Sequence, residues 1–348
     1  MHRPPTETNE PGNPAENTAK SGVFARADSV TFYEVGPEDA GQRLDNFLVR
    51  ICKGVPKSHL YRIVRSGELR INKGRVDVHY RLREGDSVRL PPLRVAAPAD
   101  DKKSPSFNIP SIDLQVIYED EGMLVVNKPA GIAVHGGSGV SHGVIERLRA
   151  ARQRAGHNIA GLELVHRLDR DTSGALVIAK KRSYLRVLQE QIRNRLWIKR
   201  YSCLVSGVWP KDLKKVELPL MKVDGLHGEK KVYVHPDGQA AATLFRIEGS
   251  WQHPELGVAS LLDARLITGR THQIRVHTSA KGHGILGDER YGNFTLNRQW
   301  QKLGLNRMFL HARHLELPHP VSGETLVVEA PLPDILADVL HGLKPYAR

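Results

Sequence analysis

The sequence predicts an α+β protein in two folded units. A small basic module of helices and a short hairpin comes first, then a larger domain on a mixed, largely antiparallel sheet. Three observations point there. Short apolar runs of strand length and apolar residues at helical spacing both occur, but they do not alternate strictly as in a parallel α/β fold. A Pro/Ala/charged stretch at residues 96–111 separates two differently patterned regions and reads as a linker. Positive charge is densest ahead of it, where residues 41–95 hold thirteen Lys or Arg against five Asp or Glu.

In chain order, residues 1–29 are rich in Pro, Glu, Asn, Thr and Ser without periodic apolar positions, and read as a disordered tail. Residues 30–95 form the basic module. Leu44, Phe47, Leu48 and Ile51 recur at helical spacing. A second helix carries Leu60, Ile63 and Val64, with Ser58 as its cap and Gly67 as its stop. The run Leu69–Val76 reads as strand, turn and strand, and Arg81–Leu90 as a turn into a last strand. The larger unit spans 112–348. Met123–Val126 and Ala175–Ala179 are its clearest strands, and Leu185–Arg195 is a helix with Leu188 and Ile192 on one face.

Composition narrows the function. The net charge of +13 favours a polyanionic partner, and nucleic acid is the commonest one. No run of 18 apolar residues occurs, so no membrane helix is expected. The first 29 residues have no apolar core of the kind a secretory signal needs. Cys52 and Cys203 are the only cysteines and lie far apart, which argues for a reducing, cytoplasmic setting; a monomer is expected.

The most informative stretch is Leu164-Val165-His166-Arg167-Leu168-Asp169-Arg170-Asp171-Thr172-Ser173-Gly174. It places a carboxylate, Asp169, between two arginines just before the apolar strand. Nearby positive charge favours the ionised form of a carboxylate. That suits a carboxylate acting on an anionic substrate, although Asp and Arg also pair on ordinary surfaces.

This stretch resembles the active-site motif of the RluA-type pseudouridine synthases. The resemblance continues at Ile117–Asp120, at Val125–Gly131, at Val134–Gly137, at Lys199-Arg200-Tyr201 and at Thr268–His277, in the family's order. His135–Gly139 and Lys180-Lys181-Arg182 look most like the branch that acts on 23S ribosomal RNA. The basic module resembles the S4 RNA-binding domain. Lys57, His59, Arg62 and Arg65 lie on or beside its second helix, and Lys73 and Arg75 flank its hairpin turn, all placed to meet RNA phosphates.

The resemblance implies an enzyme that isomerises uridine within RNA and needs one carboxylate, no cofactor and no metal. It assigns that carboxylate to Asp169, acting as nucleophile or as base. It makes Tyr201 a group that stacks on the uracil and helps remove the proton from carbon 5, and Arg275 the partner of Asp169. Arg275 lies in Gln273-Ile274-Arg275-Val276, an alternating pattern that reads as a strand. Arg167 resembles the residue that fills the gap left by the extruded nucleotide, and a phosphate contact is an equal reading. Asp171 reads as a turn residue.

Other chemistries fit poorly. His272 and His277 are five apart, His311 and His314 have no acidic or cysteine cluster beside them, and no Cys-x-x-Cys occurs, so no metal site is expected. Gly136-Gly137-Ser138-Gly139 lacks the Gly-Lys-Ser/Thr of a nucleotide-binding loop. A transfer RNA synthase and a non-catalytic ribosome assembly factor are the alternatives.

Overall fold

A computed structural model describes residues 29–37, 39–52, 54–93, 109–110, 112–136, 142–159, 161–224 and 230–346. The predicted tail up to residue 28, most of the predicted linker, and Gly137–Gly139 lie outside the described residues. The chain divides into two compact units, 1–104 and 105–348. Among the described residues no helix is long and apolar enough to cross a membrane.

The first unit contains β1 (Thr31–Glu34), α1 (Leu44–Ile51), α2 (Lys57–Ser66), β2 (Arg70–Ile71) and β3 (Ser87–Leu90). The strands form an antiparallel sheet in the order β1-β3-β2. The apolar positions predicted for both helices, Leu44, Phe47, Leu48, Ile51, Leu60, Ile63 and Val64, meet in one buried core. Gly67 ends α2 in the left-handed conformation, as expected.

Two local readings need correction. Ser58 does not cap α2: the helix follows Pro56, whose carbonyl takes the first bonds from His59 and Leu60, so Ser58 already lies inside the first turn. The predicted hairpin keeps only its first arm. Asn72 and Lys73 make the turn with positive φ, and the following residues pair only through a single bridge from Ile71 to Gly74. The main partner of β2 is β3, because β3 carries the apolar alternation, Val88 and Leu90, that the core can bury. β1 was not expected; a four-residue run of alternating burial is too short to stand out in sequence.

The second unit runs β4 (Val116–Glu119), β5 (Met123–Lys128), α3 (Val144–Arg154), β6 (Glu163–Leu164), β7 (Ser173–Ala179), α4 (Arg182–Arg193) and β8 (Ile198–Ser206). It continues with β9 (Lys215–Glu217), β10 (Leu220–Asp224), β11 (Lys230–Val234), β12 (Ala242–His253) and β13 (Gly257–Leu266). The last elements are α5 (Gln273–Ala280), α6 (Phe294–Lys302), β14 (Leu310–Pro318), β15 (Thr325–Glu329), α7 (Asp334–His341) and β16 (Lys344–Pro345). The main sheet has the order β16-β12-β13-β8-β14-β7-β5-β4, with β6, β9 and β15 as side branches. Only the β14/β7 pair is parallel among the described residues, so the sheet is mixed and largely antiparallel.

All seven residues of β7 are buried, because both faces of the sheet are covered. Leu176 and Ile178 join one core with Tyr201, Cys203 and Ile274. Val177 and Ala179 face the other way, onto Leu185, Leu188 and Trp197. Gly174 lets β7 approach β14: its φ is +114°, and a Cβ there would lie 2.3 Å from the Ala312 carbonyl oxygen.

Candidate active site

Asp169 sits in the turn between β6 and β7, where Thr172 N–H donates to its backbone carbonyl. Three side chains hold this turn. Val177 N–H donates to His166 Nε2 at 3.1 Å, and burial pushes that imidazole down to about 3, so it is neutral. Lys128, wholly buried, donates from Nζ to the carbonyls of Pro129, Ile132 and Arg170 at 2.7, 2.9 and 3.0 Å. Burial pushes its ammonium down to about 7, and three carbonyl acceptors suit the protonated form. Arg307 donates to Ser173 Oγ at 2.8 Å and to the Leu310 carbonyl at 3.2 Å.

Arg275 faces Asp169 as expected, with Nη1 3.2 Å from Oδ2. The expected strand is absent: Arg275 lies on helix α5. The alternating pattern misled because Gln273 through Thr278 are all buried, so no polar face exists to reveal the period. The buried polar side chains are satisfied internally. Gln273 bonds Thr268, Arg270, Ala242 and Thr243, and His277 bonds Thr243 and the Leu218 carbonyl.

The principal partner of Arg275 is Asp288, which sequence reasoning missed. Its two oxygens accept from Nε and Nη2, each at 2.8 Å. Burial would raise the Asp288 carboxyl, but the Arg275 bonds and two backbone N–H groups hold it below the usual carboxylate range. A lone Asp in Leu286-Gly287-Asp288-Glu289 offers no sign of burial.

Among the described residues, the other group within ion-pair range of the Asp169 carboxylate is His272, whose Nε2 lies 3.8 Å from Oδ2. Among the described residues nothing bonds Oδ1. Asp169 lies where two cavities meet. One, of about 470 Å3, is also lined by Tyr201, Lys199 and Trp197. The other, of about 1000 Å3, is lined by Arg170, Arg290 and Arg307 among others. Arg167 is exposed and lines both. Tyr201, on β8, is 8% exposed, and burial together with the nearby Asp169 charge pushes its phenol up. It is therefore a neutral phenol, suited to stacking and poorly suited to taking a proton. Asp171 also lines the larger cavity, but its side chain is held in a half-exposed ion pair with Arg170.

In the first unit Lys57, Arg62 and Arg65 are exposed on α2 and ring a surface hollow with Tyr61. Lys57 Nζ lies over the Tyr61 ring at 5.4 Å. His59 is half-buried, 3.1 Å from Arg62 Nη2. Lys73 is within the turn rather than beside it, and Arg75 lies against Gly67, where a Cβ would meet its Nε at 2.5 Å. Lys73 and Arg75 are both exposed.

The pattern of the RNA pseudouridylate synthase family matches residues 122–280, and that of the S4 domain matches residues 42–88. The chain is 48% identical over 319 residues to the ribosomal large subunit pseudouridine synthase C of Yersinia pestis, covering 91% of this chain and 97% of that protein. Its counterpart in Escherichia coli strain K12 is 47% identical over the same shares. Among solved structures, human RNA pseudouridylate synthase domain containing 4 superposes with a TM-score of 0.53 at 27% identity, covering 66% of this chain and 94% of that one. A buried arginine holding a cavity-facing carboxylate, and relatives alike over nearly their full length, lead to one conclusion: this chain belongs to the RNA pseudouridylate synthase family and carries an S4 domain ahead of its catalytic fold.

Proposed function

We propose that this enzyme isomerises specific uridines of 23S (large-subunit) ribosomal RNA to pseudouridine, with Asp169 as its essential carboxylate. One observation carries the reading. Arg275 anchors Oδ2 of Asp169, while Oδ1, unbonded among the described residues, lies beside a cavity that Tyr201 also lines. The similarity to synthases named for the large ribosomal subunit supports the choice of RNA.

The reaction breaks the bond from ribose C1′ to uracil N1, turns the base, and joins C1′ to C5. C5 loses its proton and N1 gains one, so the product is an isomer and no redox cofactor is called for. Asp169 serves either as nucleophile or as the base that takes a proton from the sugar; one free oxygen suits both routes. Arg275 keeps that oxygen aimed, and Tyr201 offers the uracil a neutral aromatic face. The uridine must leave its stack to reach Asp169, and Arg167 stands at the rim to fill the gap or meet a phosphate. Lys57, His59, Arg62, Arg65, Lys73 and Arg75 meet the RNA backbone through the S4 domain. The enzyme works as a monomer in the cytoplasm.

Pseudouridine mapping of total RNA from cells with and without the gene tests this reading. Discrete sites in 23S RNA should revert to uridine. Loss confined to transfer RNA would overturn the substrate, and no loss anywhere would overturn the function.

A further inference from the structure

His272 takes no part in the chemistry assigned to Asp169, Tyr201 and Arg275, yet it lines both cavities. Its backbone is left-handed, with φ 53° and ψ 21°, immediately before the first turn of α5. That conformation is uncommon for a residue with a full side chain, and such residues cluster at functional sites.

A hydrogen-bond chain sets the ring. Val232 N–H donates to Tyr291 Oη at 3.1 Å, and Tyr291 Oη lies 2.8 Å from His272 Nδ1. The tyrosine hydroxyl has one proton to give, and the nitrogen beside it is Nδ1. With that proton directed at Nδ1, the imidazole proton sits on Nε2, the nitrogen that faces Asp169 Oδ2. Burial pushes the His272 pKa down; Arg275 and Arg290 push the same way, against Asp169 and Asp288, so the ring is neutral at neutral pH. The Tyr291 ring also packs under the Arg275 guanidinium, 5.0 Å from centroid to carbon. Tyr291 thus supports both groups that face Oδ2.

We propose that His272 is a positioning residue for the isomerisation: held in one tautomer by Tyr291, its Nε2–H closes on Asp169 Oδ2 and leaves Oδ1 as the oxygen that meets the nucleotide. The inference rests on Asp169 being the essential carboxylate. The contact of 3.8 Å is longer than a hydrogen bond, and contacts of this kind tighten in the substrate complex.

The test is steady-state tritium release from transcribed 23S RNA carrying 5-tritiated uridine, with the full chain and RNA varied in excess over enzyme. The variants are Asp169→Asn, His272→Asn, His272→Gln and Tyr291→Phe. Asparagine accepts the left-handed backbone but carries its amide only as far as Nδ1, whereas glutamine carries an amide nitrogen near the place of Nε2. His272→Asn should lower kcat about 10²-fold and leave KM within about twofold, as for loss of one oriented donor. His272→Gln should recover about tenfold of that loss, and Tyr291→Phe should cost about tenfold in kcat, since it keeps the ring and loses the hydroxyl. Thermal melting identifies any variant that fails to fold; if His272→Asn does, the other two decide.

Wild-type kcat in His272→Asn, or in both His272→Gln and Tyr291→Phe, overturns the proposal. So does a rise in KM with kcat unchanged, which would make His272 an RNA contact. Wild-type release by Asp169→Asn would instead overturn the choice of carboxylate.

Discussion

Asp288 grips the Nε–Nη2 edge of Arg275 through two 2.8 Å bonds and leaves Nη1 to Asp169 at 3.2 Å. The guanidinium is thus fixed by a carboxylate that is itself fully buried, while the second carboxylate stays partly exposed. A rigid fork held from behind sets the direction of the group in front.

Arg275→Ala should therefore damage the fold as well as the reaction. It strands the Asp288 charge in the interior, a loss of about 3–5 kcal/mol. Arg275→Lys keeps the charge but cannot bridge two carboxylates with a planar fork, and should lose most activity with a smaller stability loss. Urea unfolding and tritium release on the same preparations separate the effects. Wild-type stability in Arg275→Ala would show that the Asp288 pair contributes little.

Asp169→Asn should behave in the opposite way. Arg275 keeps its Asp288 partner, so unfolding should shift by less than ~1 kcal/mol, while pseudouridine formation stops. RNA affinity should stay near wild type, because phosphate contacts set most of the binding. Asp171→Asn should keep most activity, since its side chain is half-exposed and its ion pair is with the still more exposed Arg170. Loss of activity in Asp171→Asn alone would mean that the wrong carboxylate has been chosen.

The turn after Asp169 should make the catalytic unit acid-sensitive. Ser173 Oγ accepts from Arg307 and lies 2.8 Å from His311 Nδ1, and His311 Nε2 lies 3.1 Å from the Ala330 carbonyl. Burial pushes this imidazole from its ordinary 6.5 down to about 4. Between those values the unfolded chain binds a proton that the folded protein refuses. Stability should thus fall as pH drops from about 6.5 toward 4, by an amount on the order of 3 kcal/mol from this residue, whose own contribution is then complete. His311→Gln should flatten that slope in urea unfolding measured from pH 7.5 to 4; equal slopes would remove His311 as a cause.

Salt dependence should report how the S4 domain meets RNA. Replacing exposed Lys57, Arg62 and Arg65 by glutamine should weaken 23S RNA binding. It should also reduce the slope of log affinity against log salt by about one for each phosphate that is no longer neutralised. The chemical step at saturating RNA should not change. An unaltered slope would place the RNA on another face of the domain.

The sequence by itself determined the two-unit organisation, the basic S4 helices, the buried strand Ala175–Ala179 and the motif around Asp169. Those features are local: helical spacing in Leu44–Ile51, an apolar run behind Gly174, and a motif written in consecutive residues. Only the tertiary structure decided the rest. Asp288 and Asp169 are far apart in sequence and meet on one guanidinium because α5 carries Arg275 to the β6–β7 turn. The helix around Arg275 was hidden by uniform burial, since a segment buried on every side has no amphipathic period to read. Tyr201 is a neutral phenol, and His272 presents Nε2, because burial and distant partners settle protonation, and neither is encoded in neighbouring residues.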